Sequence, residues 1–201
     1  MSIYREISKA IRITLILWLL TAIIYPLFIL FVGQLPFLKD KAQGSIQPGL
    51  KGELIGSALI GQQFKSDQYF HGRPSTVRYS QGKQGNPTGV SGASNLAPSS
   101  PELLQRIVEE ANLLREENVQ PIADLVYTSG SGLDPHISVK ATLEQLDRVA
   151  RARGLRPDEI VSFINKYTEG RVLGIFGEPG VNVLKLNYAL DLDEFNRQQN
   201  K

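Results

Sequence analysis

The chain has no cysteine, which excludes a disulfide framework, thiolate catalysis and cysteine-ligated metal. It has only two histidines, His71 and His136, and no carboxylate spacing completes a metal site around either. Net charge is small, +2 over 201 residues. Arg5, Lys9 and Arg12 take three of the 22 basic residues and Glu6 one of the 20 acidic residues, so the chain beyond residue 12 carries equal numbers of each. That balance argues against nucleic acid as a partner, which needs a clustered basic excess. The most informative absence is local. From Ile13 to Leu38 there is no Asp, Glu, Lys or Arg.

What fills that gap is the run ITLILWLLTAIIYPLFILFV, Ile13–Val32. As a helix rising about 1.5 Å per residue it spans about 30 Å, the thickness of the hydrocarbon core of a bilayer. Its Leu, Ile, Phe and Val side chains favour the bilayer centre by about 0.3 to 0.6 kcal/mol each, which outweighs Thr14, Thr21, Tyr25 and Pro26. No face is polar, as a helix on the surface of a soluble core would require. A cleaved signal peptide predicts small residues at the cleavage site, but VGQLPFLKDKAQGS follows. The reading is a retained membrane helix at about 13–35. The basic flank Arg5–Arg12 places the N-terminus in the cytoplasm and the body outside, though Lys39, Lys41 and Lys51 weaken the asymmetry. Pro26 cannot donate to the Ala22 carbonyl, which predicts a kink. Thr21 and Tyr25 fall on one side and, with Pro26, mark a face for partner helices.

The sequence divides into an N-terminal segment with the membrane helix (1–38), a linker broken by Gly44, Pro48 and Gly49 (39–52), and one soluble domain (53–201). ELIGSALIGQQF, Glu53–Phe64, reads as a glycine-interrupted strand. Gly72–Ser100 has no helical or strand period. Loops of that length are functional or disordered, and Tyr69, Phe70, Arg73, Arg78 and Tyr79 favour an ordered, packed one. Ser100-Pro101-Glu102 starts a helix running to about Asn118. Leu125–Thr128 reads as a short strand. A second helix follows the Ser138 cap, with Arg148, Arg151 and Arg153 complementing its dipole and Gly154 closing it. A third starts at Pro157. Arg171–Phe176 and Val181–Asn187 read as two strands about the turn GEPG. The mixture predicts an α+β fold.

Several motifs invite chemistry. The turn Ser129–Gly132 (SGSG) has the glycines of an anion-cradling loop, with a helix start close behind. It lacks the GxxxxGK[ST] pattern and its lysine, so a plain strand-to-helix turn competes. Ser131, Asp134 and His136 suggest a hydrolase triad, but position 129 is serine, so there is no GxSxG elbow. Three residues this close in one loop rarely reach triad geometry. YFHGRPS (Tyr69–Ser75) carries the residue types of an interface anchor, Tyr69, Phe70, His71 and Arg73. It is equally ordinary for a packed loop.

Read in order, these pieces resemble one family, the C subunit of the Kdp-type potassium-transporting ATPase. The likeness rests on YPL (Tyr25–Leu27), GSALIGQQF (Gly56–Phe64), YFHGRPS and SGASNLAPSSPEL (Ser91–Leu103). It continues through DLVYTSGSGLDPHIS (Asp124–Ser138), RVARARGL (Arg148–Leu155) and GEPGVNVLKLNYALD (Gly177–Asp191). The departures are small: Tyr127 stands where the family usually has a small residue, and Val139 where it often has proline. The resemblance implies an accessory subunit in the cell (inner) membrane, partnered by a channel-like potassium-binding subunit and a P-type ATPase subunit. The chain has no DKTG phosphorylation sequence and a single span, so it is expected to be non-catalytic. The family is described as a catalytic chaperone that raises the ATPase subunit's affinity for ATP. That implies nucleotide contact at Ser129, Gly130, Ser131, Gly132 and Gln145, with ATP shared with the ATPase subunit and no tightly bound cofactor. An extracytoplasmic body would meet no ATP pool. On topology, therefore, SGSGLDPHIS, Asp134 included, is expected to dock on a partner subunit, with any effect on ATP allosteric. The rival reading is a membrane-anchored extracytoplasmic hydrolase using Ser131 and His136.

Overall fold

The computed structural model describes residues 3–50, 52–77 and 90–200. Helix α1 (Ile3–Leu19), a π turn (Leu20–Ile24) and helix α2 (Tyr25–Gly33) run on as one helix of 31 residues, with no residue buried. It is long and apolar enough to cross a membrane. A π turn lies where the kink is expected. One turn ahead of Pro26 the helix widens, and the Tyr25 N–H reaches back five residues to the Leu20 carbonyl. The extra residue accommodates the missing proline donor. Thr21 Oγ donates to its own helix, to Leu17 O at 2.8 Å.

The expected linker is more structured than its composition suggests. It holds helix α3 (Lys39–Ala42) and strand β1 (Ile46–Pro48), which pairs with β2 (Leu54–Ser57). The body forms its own compact unit, Gln47–Lys201. Strand β2 is shorter than the expected Glu53–Phe64, because Gly56 takes a φ of +140° and the Gln62 side chain, not another strand, donates to Ile55 O at 2.8 Å.

Helix α4 (Pro101–Glu116) starts with Pro101 in its first turn, and Asn118 in the left-handed region (φ +59°) ends it. The expected strand at Leu125–Thr128 is instead a short helix, α5 (Ala123–Val126), which buries Leu125 and Val126. Strand β3 (His136–Ser138) leads into α6 (Val139–Glu144) and α7 (Leu146–Arg153). The single second helix of the sequence reading is thus two, broken at Gln145. Ser138 Oγ caps α6 by accepting the Ala141 N–H at 3.1 Å, and Gly154 closes α7 at φ +63°. Helix α8 (Pro157–Lys166) is followed by β4 (Thr168–Glu169), β5 (Gly180–Asn182) and the long helix α9 (Val183–Gln199).

This corrects the reading of Arg171–Phe176 and Val181–Asn187 as paired strands. The first is a tight turn with one bridge, Val172 to Phe176. The second is strand for two residues, then helix, because Asn182 accepts the Lys185 N–H and starts α9. The antiparallel sheet has the order β3-β5-β4, with Ile137 opposite Val181 and Val181 opposite Thr168. Ile160 and Ile164 of α8, Leu186 and Leu190 of α9, and Val149 of α7 pack with Ile137 and Val181 into the core. The architecture is a mixed α+β body behind one apolar helix. Of the long loop, residues 72–77 and 90–100 are described; Arg78 and Tyr79 lie outside the described residues.

Candidate functional site

The segment Tyr69–Ser75 is neither helix nor strand, and no strand pairs with it among the described residues. Its peptide groups still need partners once buried, and two side-chain amides supply them. Asn187 on α9 accepts the Phe70 N–H at 2.8 Å and donates to Phe70 O at 2.9 Å. Gln145, at the α6–α7 break, accepts the His71 N–H at 2.8 Å and donates to His71 O at 3.1 Å. Each carboxamide imitates one rung of a β ladder. Phe70 and Gln145 are both fully buried.

Two arginines complete the clamp. Arg148 is 6% exposed. It donates to Gln145 Oε1 at 2.7 Å and to Asp67 O at 3.2 Å, and pairs with Glu117 at 3.3 Å. Burial pushes its guanidinium below the ordinary value, and Glu117 and Asp67 pull the other way. Arg153 donates to Gln68 O and Asp191, each at 2.7 Å, and lies over the Tyr69 ring. The Tyr69 hydroxyl donates to Asp191 at 3.1 Å. Burial first, then the Asp191 charge, raises its pKa.

The same segment runs on to the SGSG turn. Ser129 N donates to Pro74 O at 3.2 Å, and Ser75 Oγ donates to Gly132 O at 2.7 Å. From the far end of the long loop, Gly92 N and Ser91 Oγ both donate to Ser131 O, at 2.8 and 3.0 Å. Within the turn, Gly132 N bonds to Ser129 O and Leu133 N to Ser131 Oγ. The turn is held between the two ends of the loop, with Gly130 and Ser131 exposed at its apex. The buried Ser129 Oγ has no partner among the described residues. Asp134 accepts the His136 N–H at 3.0 Å, shaping the turn from its own side chain, and pairs with Arg73 at 3.5 Å. Beside the segment lies an open cleft of about 750 Å³, lined by His71–Val77, by Glu110 and Leu113 of α4 and by Glu117 just beyond it.

The residues singled out in the sequence thus fall into three places. Thr21, Tyr25 and Pro26 lie at the π turn of the apolar helix. Tyr69, Phe70, His71 and Arg73 share the clamped segment with Gln145. Ser129, Gly130, Ser131, Gly132 and Asp134 form the turn at its end. No hydrogen bond among the described residues joins Ser131 to His136. The imidazole instead meets Glu169 Oε2 at 3.1 Å. Burial raises the Glu169 carboxyl, and Lys185 and His136 outweigh it to hold it below the ordinary value. Sequence reasoning missed Asn187, Ser75 and the inward course of Arg148 and Arg153. The arginines were visible as a cluster but read as dipole partners.

His71 carries the clearest electrostatic signature. Burial, and then the Arg148 charge, lower its pKa to about 4. Nε2 faces a donor and an acceptor at once, Arg148 Nη1 at 3.2 Å and the Ser66 carbonyl at 3.3 Å. The unfolded imidazole binds a proton below about pH 6.5, whereas the folded one resists until about pH 4. Stability is therefore complete above pH 6.5 and falls with acidification through that window. At about 1.4 kcal/mol per pH unit, about 2 kcal/mol should be lost by pH 5. Urea midpoints of the full chain at pH 7 and pH 5 measure it. His71→Gln keeps an acceptor for Arg148 and should flatten the decline. Glu110, whose carboxyl burial raises, contributes with opposite sign, so comparing the two proteins isolates the imidazole.

One apolar helix long enough to cross a membrane stands ahead of a single α+β body, the arrangement of single-span membrane-anchored proteins. The family profile described as "K+-transporting ATPase, c chain" (KdpC) matches residues 7–192. The chain is 70% identical over 200 residues to "Potassium-transporting ATPase KdpC subunit 2" of Nostoc sp. strain PCC 7120, with all of both chains covered. It is 67% identical over 201 residues to the KdpC subunit of Anabaena sp. strain L31, again with both covered in full. To that of Synechocystis sp. strain PCC 6803 it is 58% identical over 187 residues, 93% of this chain and 98% of the other. The chain belongs to the KdpC family of potassium-transporting ATPase subunits.

Proposed function

We propose that this chain is a non-catalytic accessory subunit of an ATP-driven potassium import complex. It works beside a channel-like subunit and a P-type ATPase subunit and is needed for assembly or stability of the complex. Its N-terminus lies in the cytoplasm and its body outside, so it raises the ATPase subunit's affinity for ATP by allosteric coupling. One observation favours this reading over direct nucleotide contact. Of the four N–H groups of the Ser129–Gly132 turn, those of Ser129 and Gly132 already bond within the body, as does that of Leu133. A turn so held can present its apex, Gly130 and Ser131, to a partner as a fixed shape.

The test is potassium-stimulated ATP hydrolysis by the purified complex. Without this chain, the ATP concentration for half-maximal rate should rise or the complex should fall apart. Ser131→Ala and His136→Ala should leave rate and assembly near wild type, since no hydrogen bond among the described residues joins a nucleophile to a base there. Turnover of an ester or of ATP by the pure chain, abolished by either change, would establish the hydrolase reading instead. A reporter active only in the cytoplasm, fused after Lys201, should stay silent; a strong signal reverses the topology.

A further inference from the structure

Between β4 and β5 the chain forms a projecting knuckle, Val172–Gly177. Its six residues, Val-Leu-Gly-Ile-Phe-Gly, carry no polar side chain. Val172, Leu173, Ile175 and Phe176 are 67%, 84%, 72% and 63% exposed. Apolar residues so concentrated at a loop tip mark an interaction surface. We propose that this knuckle inserts into the interfacial zone of the lipid bilayer, as a second, reversible membrane contact of the body.

Three observations favour lipid over a protein groove. First, four of the six backbone N–H groups of the knuckle bond within the turn or to its base. Val172 N donates to Phe176 O, Gly174 N to Arg171 O, and both Ile175 N and Phe176 N donate to Val172 O, at 2.8–3.2 Å. An apolar medium supplies no hydrogen bonds, so only a self-bonded turn enters it cheaply. Leu173 is held at φ +55° by this network, with its side chain outward. Second, the knuckle offers nothing polar to recognise. Protein interfaces carry about one hydrogen bond per 100–200 Å², whereas interfacial insertion draws on apolar area and on attraction to lipid headgroups. The exposed Arg171 at its base suits headgroup phosphates. Third, the body is tethered. Residues 34–46 separate the apolar helix from the body and reach at most about 45 Å when fully extended, so an anchored helix keeps the start of the body within that distance of a membrane.

The absence of native cysteine makes a direct test available. The full-length chain with Leu173→Cys or Ile175→Cys, labelled with an environment-sensitive fluorophore, is reconstituted into phosphatidylcholine–phosphatidylglycerol vesicles. Glu102→Cys, at the exposed start of α4, is the control. The knuckle labels should be quenched several-fold more than the control by nitroxide-bearing lipids, and several-fold less by iodide added on the body's side. Adding Leu173→Glu to the Ile175→Cys protein should abolish the lipid quenching and leave the thermal melt unchanged, since residue 173 packs on nothing. Iodide quenching equal to the control overturns the proposal. So does protection from both quenchers that appears only once the other subunits are present, which would assign the knuckle to a protein interface.

Discussion

Gly132→Val should cost the body about 3 kcal/mol or more, and with it assembly into the complex. Gly132 sits at φ +69°, where a β-branched residue is disfavoured by about 1–2 kcal/mol. Space is the second problem. An added Cβ would lie 2.6 Å from Gly92 O and 2.6 Å from Val77 Cγ2. Relieving overlap of that kind costs about 1–3 kcal/mol, and here it must part the two ends of the long loop. Gly130, two residues earlier, is the internal control. Nothing lies within 4 Å of its added Cβ, so Gly130→Ala should stay within about 0.5 kcal/mol of wild type. Denaturant unfolding of the full chain, with co-purification of the other subunits, reads both effects. If Gly132→Val left stability and assembly intact yet changed the ATP response, the turn would act by direct contact with nucleotide.

Gln145→Ala should be nearly as damaging, for a chemical rather than a steric reason. The carboxamide makes four described hydrogen bonds, to His71 N, His71 O, Ala141 O and Arg148, between 2.7 and 3.2 Å. Truncation strands the His71 peptide group and one Arg148 donor in a buried place. Each unsatisfied buried group costs about 1–3 kcal/mol, so a total loss of about 3 kcal/mol is expected. Below the melting temperature of the variant, the assembled complex should keep its ATP requirement. An unchanged melt with a raised ATP requirement would show that Gln145 serves the nucleotide.

Much of the fold was legible because its signals were local. The apolar run, the Ser138 cap, the Gly154 stop and the Pro157 start each rest on a few neighbouring residues, and the structure bears them out. The errors came where distant contacts decide. Val181–Asn187 alternates like a strand, and only the Asn182 cap marks the change to helix. That helix buries the polar Asn187 along with Val183, Leu184, Leu186, Ala189 and Leu190, which blurs the apolar stripe from which a helical period is read. Within the candidate site, Gln145 entered only through family resemblance. Its partner His71 is 74 residues away in sequence, and Asn187 lies 117 residues from Phe70. No spacing rule reports a side chain standing in for a missing strand. Arg148 and Arg153 show the same limit, since a helix-end arginine looks alike whether it faces water or a buried carbonyl.

The π turn at Leu20–Ile24 bears on how other helices can meet this one. An α-helix advances about 100° per residue, so one residue absorbed by a widened turn rotates everything beyond it by about that angle. Side chains of α1 and α2 that a regular heptad count would place on a single stripe therefore point to different azimuths. Two neighbouring helices can each be offered a facet of their own, one along Ile13–Leu19 and one along Leu27–Val32, by what is nominally a single straight rod.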